Sequence, residues 1–91
     1  MKCSEESGSA VVKSQRMPLT PRNIMRFGVL YNATYIVTVH NHISGNPSPT
    51  KFDSIIAARL TKAAESVRMT LRDHIILTSE NYYSFEENQK L

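Results

Sequence analysis

The 91 residues, 41% of them hydrophobic and 21% charged, bound this chain to one small domain with one modest core. Eleven Lys and Arg against eight Asp and Glu leave a net charge of +3, scattered along the chain with no basic run that resembles a nucleic-acid stripe. Cys3 is the single cysteine, which excludes a disulfide framework and a thiolate metal cluster, and no apolar run approaches the ~20 residues that span a bilayer.

The segment Met1–Glu6 is polar and lacks the apolar centre of a signal peptide, so a cytoplasmic setting is expected. Residues 1–19 read as a polar amino-terminal segment, mobile over 1–9, with a short strand over 10–12 and a connector from Lys13 that ends at Pro18 and Leu19. Thr20 then offers an N-cap, and Pro21 suits the first helical position, where its missing N–H would be unpaired anyway. Ile24, Phe27, Leu30 and Tyr31 recur at helical spacing. Gly28 inside this helix costs roughly 1 kcal/mol against alanine, which a close approach to a neighbouring strand would explain. Asn32 suits a left-handed helix end.

Residues 34–40 hold the apolar run Tyr35-Ile36-Val37-Thr38-Val39, expected as a central strand covered on both faces. A loop with Gly45, Pro47 and Pro49 follows. Thr50 and Asp53 have the spacing of a capping box, and Ile56, Leu60, Ala63 and Val67 make one face of the helix they open. Arg72-Asp73-His74-Ile75-Ile76-Leu77 reads as a strand. Thr78–Asn81 is a turn, and Tyr82–Phe85 a short last strand pairing back on 74–77. Residues 86–91 are a polar tail. The fold class is α/β, a small mixed sheet flanked by helices in the order (β)-α-β-α-β-β.

Chemistry concentrates at the exit of the 34–40 strand. Side chains alternate along a strand, so His40 and His42 project from one face. Two imidazoles with the Asp53 carboxylate at a nearby helix start make a three-ligand site with an open position, as in catalytic zinc centres. Helix capping is the plain alternative for Asp53, and both roles need one oxygen to turn to the ion. Asp73-His74 reads as a structural hydrogen-bonding pair, and Tyr82, Tyr83 and Phe85 as packing. Ser44 reads as loop structure. A hydrolytic centre also needs a general base; upstream of the histidines only Glu5 and Glu6 are available, and a solvated segment is the simpler reading of that pair.

The pattern His40-Asn41-His42-Ile43, a six-residue spacer, then Thr50-Lys51-Phe52-Asp53 resembles the metal motif of the JAMM/MPN metalloenzyme superfamily. Val39 through Thr50, Asp73-His74-Ile75-Ile76-Leu77, Tyr82-Tyr83-Ser84-Phe85 and Thr20-Pro21-Arg22-Asn23-Ile24 are similar to its bacterial RadC branch, so residues 20–85 read as a RadC-like domain of cytidine deaminase-like fold. The resemblance implies one Zn2+ held by His40, His42 and Asp53. It places Thr50 where the family has an oxyanion-holding serine and puts the base at Glu5 or Glu6. It also implies hydrolysis of a peptide or isopeptide substrate. Ile43 stands in place of a loop proline and Asn23 in place of a glutamate. The strands that precede the first helix in the family are expected to be missing, leaving an open sheet edge for a homo-oligomer. Two other readings accompany the zinc hydrolase: a catalytically impaired interaction module, and a DNA-associated protein of the DNA-repair type.

Overall fold

The computed structural model describes residues 2–6, 9–14, 20–42 and 45–91. Ile43, Ser44 and the connector residues 15–19 lie outside them. The described chain forms β1 (Lys2–Glu6), β2 (Ser9–Ser14), α1 (Pro21–Leu30), β3 (Tyr35–Asn41), α2 (Lys51–Ser66), β4 (Thr70–Leu77) and β5 (Tyr82–Ser84). The five strands lie in sequence order, β1-β2-β3-β4-β5. The inner pairs β2–β3 and β3–β4 are parallel, and the outer pairs β1–β2 and β4–β5 antiparallel. The mixed α/β architecture is therefore as expected, with one addition. Two strands precede α1, so the expectation that they are missing does not hold. The polar Lys2–Glu6 run carries no apolar signal, but antiparallel pairing with Ser9–Ser14 satisfies its backbone.

Local chemistry fixes both helices. Thr20 caps α1, its side chain accepting from the Asn23 N–H at 3.3 Å, and Pro21 opens the first turn. Asn32 closes α1 in the left-handed region at φ 51°. Thr50 caps α2 in a complete capping box with Asp53, and Arg68 at φ 59° ends that helix's turn. Gly28 is buried where α1 meets the sheet. A Cβ there would lie 2.7 Å from Ile36 Cδ1 and from Met69 Sδ, so the strand approach asks for glycine.

Both helices cover the same face of the sheet. Ile24 of α1 and Leu60 and Ala64 of α2 form one buried cluster with Ile36, Leu71 and Met69. A second cluster joins Ala57 of α2 to Ile76 and Phe85. The topology gives the reason. Each parallel crossover steps the same way across the sheet, and crossovers of the usual right hand then place their helices on one side. The expectation of a β3 covered on both faces is corrected accordingly. Ile36, Thr38 and His40 point to the helices, while Tyr35, Val37, Val39 and Asn41 alternate to the other face, where Val39 alone of the four is buried. A register shift at Ile36/Val37 pairs Leu71 with Ile36 and Asp73 with Val37. It leaves Arg72 as the extra residue, its guanidinium 4.4 Å from the centre of the Tyr35 ring.

Candidate metal centre

The centre is built where β3 ends and α2 begins. His40 is the penultimate residue of β3, level with Ile76 of β4. His42 follows β3 and stays tied to β4, its N–H donating to the Leu77 carbonyl at 2.9 Å. The capping box brings in the third group. Asp53 Oδ2 accepts from the Thr50 N–H at 2.7 Å and from the Thr50 hydroxyl at 2.9 Å, while the Asp53 N–H donates to Thr50 Oγ1 at 3.2 Å. His40 Nδ1 stands 3.4 Å from Asp53 Oδ1, and His42 Nε2 stands 3.1 Å from Asp53 Oδ2. One donor atom from each of the three residues lies within 4.8 Å of the other two. A tetrahedral ion with bonds near 2.1 Å holds its ligand atoms about 3.4 Å apart.

The hydrogen bonding of His42 tests whether a cation suits this cluster. His42 Nδ1 donates to the Asn46 carbonyl at 3.0 Å. That bond uses the Nδ1 hydrogen and turns Nε2 toward a carboxylate oxygen. Two acceptors hold such a separation only with a proton or a metal ion between them. Anchoring the remote ring nitrogen on a backbone carbonyl is also how proteins orient metal-binding histidines. The donor set therefore fits a divalent ion. The signal for Asn46 is absent from the sequence, because a backbone carbonyl acts whatever its side chain.

Asp53 is 2% exposed yet stays ionised. Burial alone would raise its carboxyl; the N–H and hydroxyl of Thr50, with the His42 and His40 imidazoles, outweigh that and hold it below the usual carboxylate range. The side chain of His40 is 37% exposed against 12% for His42, so the centre opens to solvent on the His40 side. A groove of about 340 Å³ runs beside His42, lined by Asn41, Gly45, Leu77, Thr78 and Ser79.

The sheet does not bring the other expected residues to the centre in the same way. Glu5 pairs with Ala10, level with Ile36, and Glu6 with Ser9, level with Tyr35. Their backbones thus lie four and five residues back from His40, roughly 13 and 17 Å along the strand direction. β1 runs antiparallel to β2, which carries its carboxyl end away from the β3 exit, so the register does not bring either backbone to the centre. Thr50 is at the centre, but its hydroxyl hydrogen is committed to Asp53. Asp73 and His74 are not a pair. Asp73 accepts from the Ser84 hydroxyl at 2.6 Å and the Glu86 N–H at 3.1 Å, because neighbours on a strand face opposite ways. The aromatic cluster packs as expected: Phe85 is buried with Tyr83 edge-on at 5.4 Å, while Tyr82 is exposed. No helix among the described residues is long and apolar enough to cross a membrane.

A protein of Thermotoga maritima named UPF0758 protein is 38% identical over 86 residues, 94% of this chain and 39% of the relative. A UPF0758 protein of Pasteurella multocida is 38% identical over 71 residues, 78% of this chain and 32% of the relative. One of Streptococcus suis is 39% identical over 67 residues, 74% of this chain and 27% of the relative. The chain thus spans about two fifths or less of the length of these relatives. The family model for the RadC-like JAB domain matches residues 6–91. With the His40, His42 and Asp53 cluster at the exit of its central strand, the chain belongs to the RadC-like JAB domain family.

Proposed function

We propose that this domain is a zinc-dependent hydrolase of amide or isopeptide bonds, with His40, His42 and Asp53 as the metal ligands. The observation that carries the reading is His42 Nε2 held 3.1 Å from a buried, ionised carboxylate by the Nδ1 bond to Asn46. A bound divalent ion supplies a Lewis acid that lowers the pKa of water toward neutrality. The residues of this chain do the rest. The Asn46 carbonyl sets the ring plane of His42, Thr50 pins Asp53 Oδ2 and leaves Oδ1 facing His40, and the half-exposed His40 keeps the approach from solvent open.

The register of Glu5 and Glu6 supports a second reading, a module that keeps the metal and lacks its own base. One experiment separates the two. The zinc-loaded chain is incubated with quenched-fluorescent peptide and isopeptide-linked libraries. Hydrolysis that a chelator and the His40→Ala/His42→Ala variant both abolish supports the enzyme. Stoichiometric zinc without cleavage supports the module. Nucleic-acid binding with a steep salt dependence, from a scattered net charge of only +3, would favour the DNA-associated reading instead.

A further inference from the structure

The basic residues are scattered along the chain but gathered in the fold. Arg22 and Arg26 of α1, Lys51, Arg59 and Lys62 of α2, and Arg68 just past it are six of the 11 Lys and Arg, and all six are exposed. None of them forms an ion pair among the described residues. Glu65 is the one exposed acid the two helices carry, since Asp53 is buried against the histidines. With Asp53 and Glu65 set against those six, the helix layer has a net charge of +4; the other five bases and six acids leave the rest of the chain at −1.

This surface adjoins the metal centre. Each helix links two parallel strands, so both run back against the strand direction and start at the sheet edge where β3 exits. Arg22 and Lys51 therefore stand in first turns on the side of the centre, and Lys51 and Phe52 directly precede Asp53. Cations there oppose the helix dipole, and α1 has no acid in its first turn to offset them. An approaching carboxylate is favoured by the dipoles and the side chains alike.

Apolar side chains are exposed among these cations: Phe52 and Ile55 at the start of α2, Val29 and Leu30 at the end of α1, and Val67 at the end of α2. A mixed surface of this kind suits a partner that brings acids and apolar groups together. Nucleic acid would meet the cations and leave the apolar side chains against a polar strand. A bilayer would accept both, but the apolar residues form two groups at opposite ends of the helix pair, with Arg26, Arg59 and Lys62 between them. A polypeptide of mixed character matches that spacing, and α2, roughly 24 Å long, spans about seven extended residues.

We propose that the outer surface of the two helices docks acidic polypeptide segments that also carry apolar residues, and that such segments are the substrate class of the metal centre beside it. The docking rests on charge and exposure; the substrate assignment rests on the hydrolase reading, and the test keeps them apart. Fluorescence anisotropy of the full, metal-free chain is read with a labelled peptide of Glu, Leu and Gly, a twin with Gln for Glu, and a twin with Ser for Leu. The Glu/Leu peptide binds about tenfold more tightly than either twin, or better. Arg59→Glu weakens it about fivefold, and Arg22→Glu/Arg59→Glu about 20-fold. Arg72→Glu, the same charge change beside Tyr35 on the helix-free face, stays within about twofold. Phe52→Ser/Ile55→Ser weakens binding about tenfold. If the double Glu variant does not fold, Arg22→Gln/Arg59→Gln decides, with a loss of about fivefold expected. Equal binding of either twin, or equal effects of Arg59→Glu and Arg72→Glu, overturns the proposal. So does tighter binding of phosphatidylserine vesicles or duplex DNA through these same residues. The zinc-loaded chain is then expected to cleave the Glu/Leu peptide faster than its Gln twin. Equal cleavage of the two overturns the substrate assignment alone. Docking with no cleavage of any peptide overturns the hydrolase reading and the substrate assignment with it, and upholds the surface.

Discussion

Asp53 and His74 are buried equally, 2% and 1% exposed, and answer burial in opposite ways. Asp53 keeps its charge, because the Thr50 N–H and hydroxyl and two imidazoles converge on it. His74 gives its charge up, because burial strips the imidazolium of water and its one hydrogen-bond partner is a neutral hydroxyl. The contrast shows what a small sheet can do with polar groups along one face. At the strand exit, loop and helix cap deliver donors that sustain an ion. One rung inside, only a neighbouring strand is within reach, and a neutral ring is all it can sustain.

The largest test removes the charged member. Asp53→Ala deletes the carboxylate that both histidines face, and metal affinity should fall by more than about 100-fold in a competition titration, beyond the loss expected from any supporting residue. Affinity within tenfold of the wild type would separate Asp53 from the ion.

The neutral member shows itself in pH. His74 takes a proton near 6.5 when unfolded and at about 4 when folded. Between those values the unfolded chain binds a proton that the folded chain does not. The metal-free protein should therefore hold this contribution in full above pH 6.5 and lose it as pH falls toward 4, by about 3 kcal/mol in all. Urea unfolding of the wild type and His74→Phe across that range isolates it. Asp53 from α2, His40 from β3, His42 just after it and Asp73 from β4 are present in both proteins, so the difference reports on the His74 ring. Parallel curves would show that the ring is not held neutral.

A smaller effect probes how Asp53 is supported. Thr50→Val removes the cap while keeping the shape, and should cost about 1 kcal/mol in urea unfolding, with Thr50→Ser close to the wild type. A Thr50→Val as stable as the wild type would show that the hydroxyl does not support the cap. The smallest prediction concerns the core beneath both groups. Gly28→Ala gains about 1 kcal/mol of helix propensity but drives a methyl against the ends of Ile36 and Met69, where overpacking costs about 1–3 kcal/mol. Because those ends can shift, a net loss of at most about 1 kcal/mol is expected; a gain would mean that α1 stands further from β3.

What the chain announces about itself follows from how local each signal is. Thr20 with Pro21, Thr50 with Asp53, Asn32 and Gly28 act within a few residues or through one unusual geometry, and each does in the structure what its type suggests. The cluster of His40, His42 and Asp53 was legible for the same reason, since strand alternation places His40 and His42 and the cap places Asp53. Pairing across the sheet leaves no such trace. Lys2–Glu6 becomes a strand through Ser9–Ser14. The bulge at Arg72 shifts the faces of β4 without any glycine to mark it. Asp73 and His74, adjacent in sequence, turn to Ser84 and Thr38 on opposite faces. The one-sided helix cover follows from the direction of two crossovers, a property of topology and not of any segment.

The central claim is that His40, His42 and Asp53 hold a metal ion, and Co2+ titration of the metal-free chain tests it most directly. One equivalent should bind with the intense visible bands of a tetrahedral site, be displaced by Zn2+, and be absent from a folded His40→Ala/His42→Ala variant. A folded wild-type chain that binds no Co2+, or a double variant that binds it unchanged, would contradict the claim.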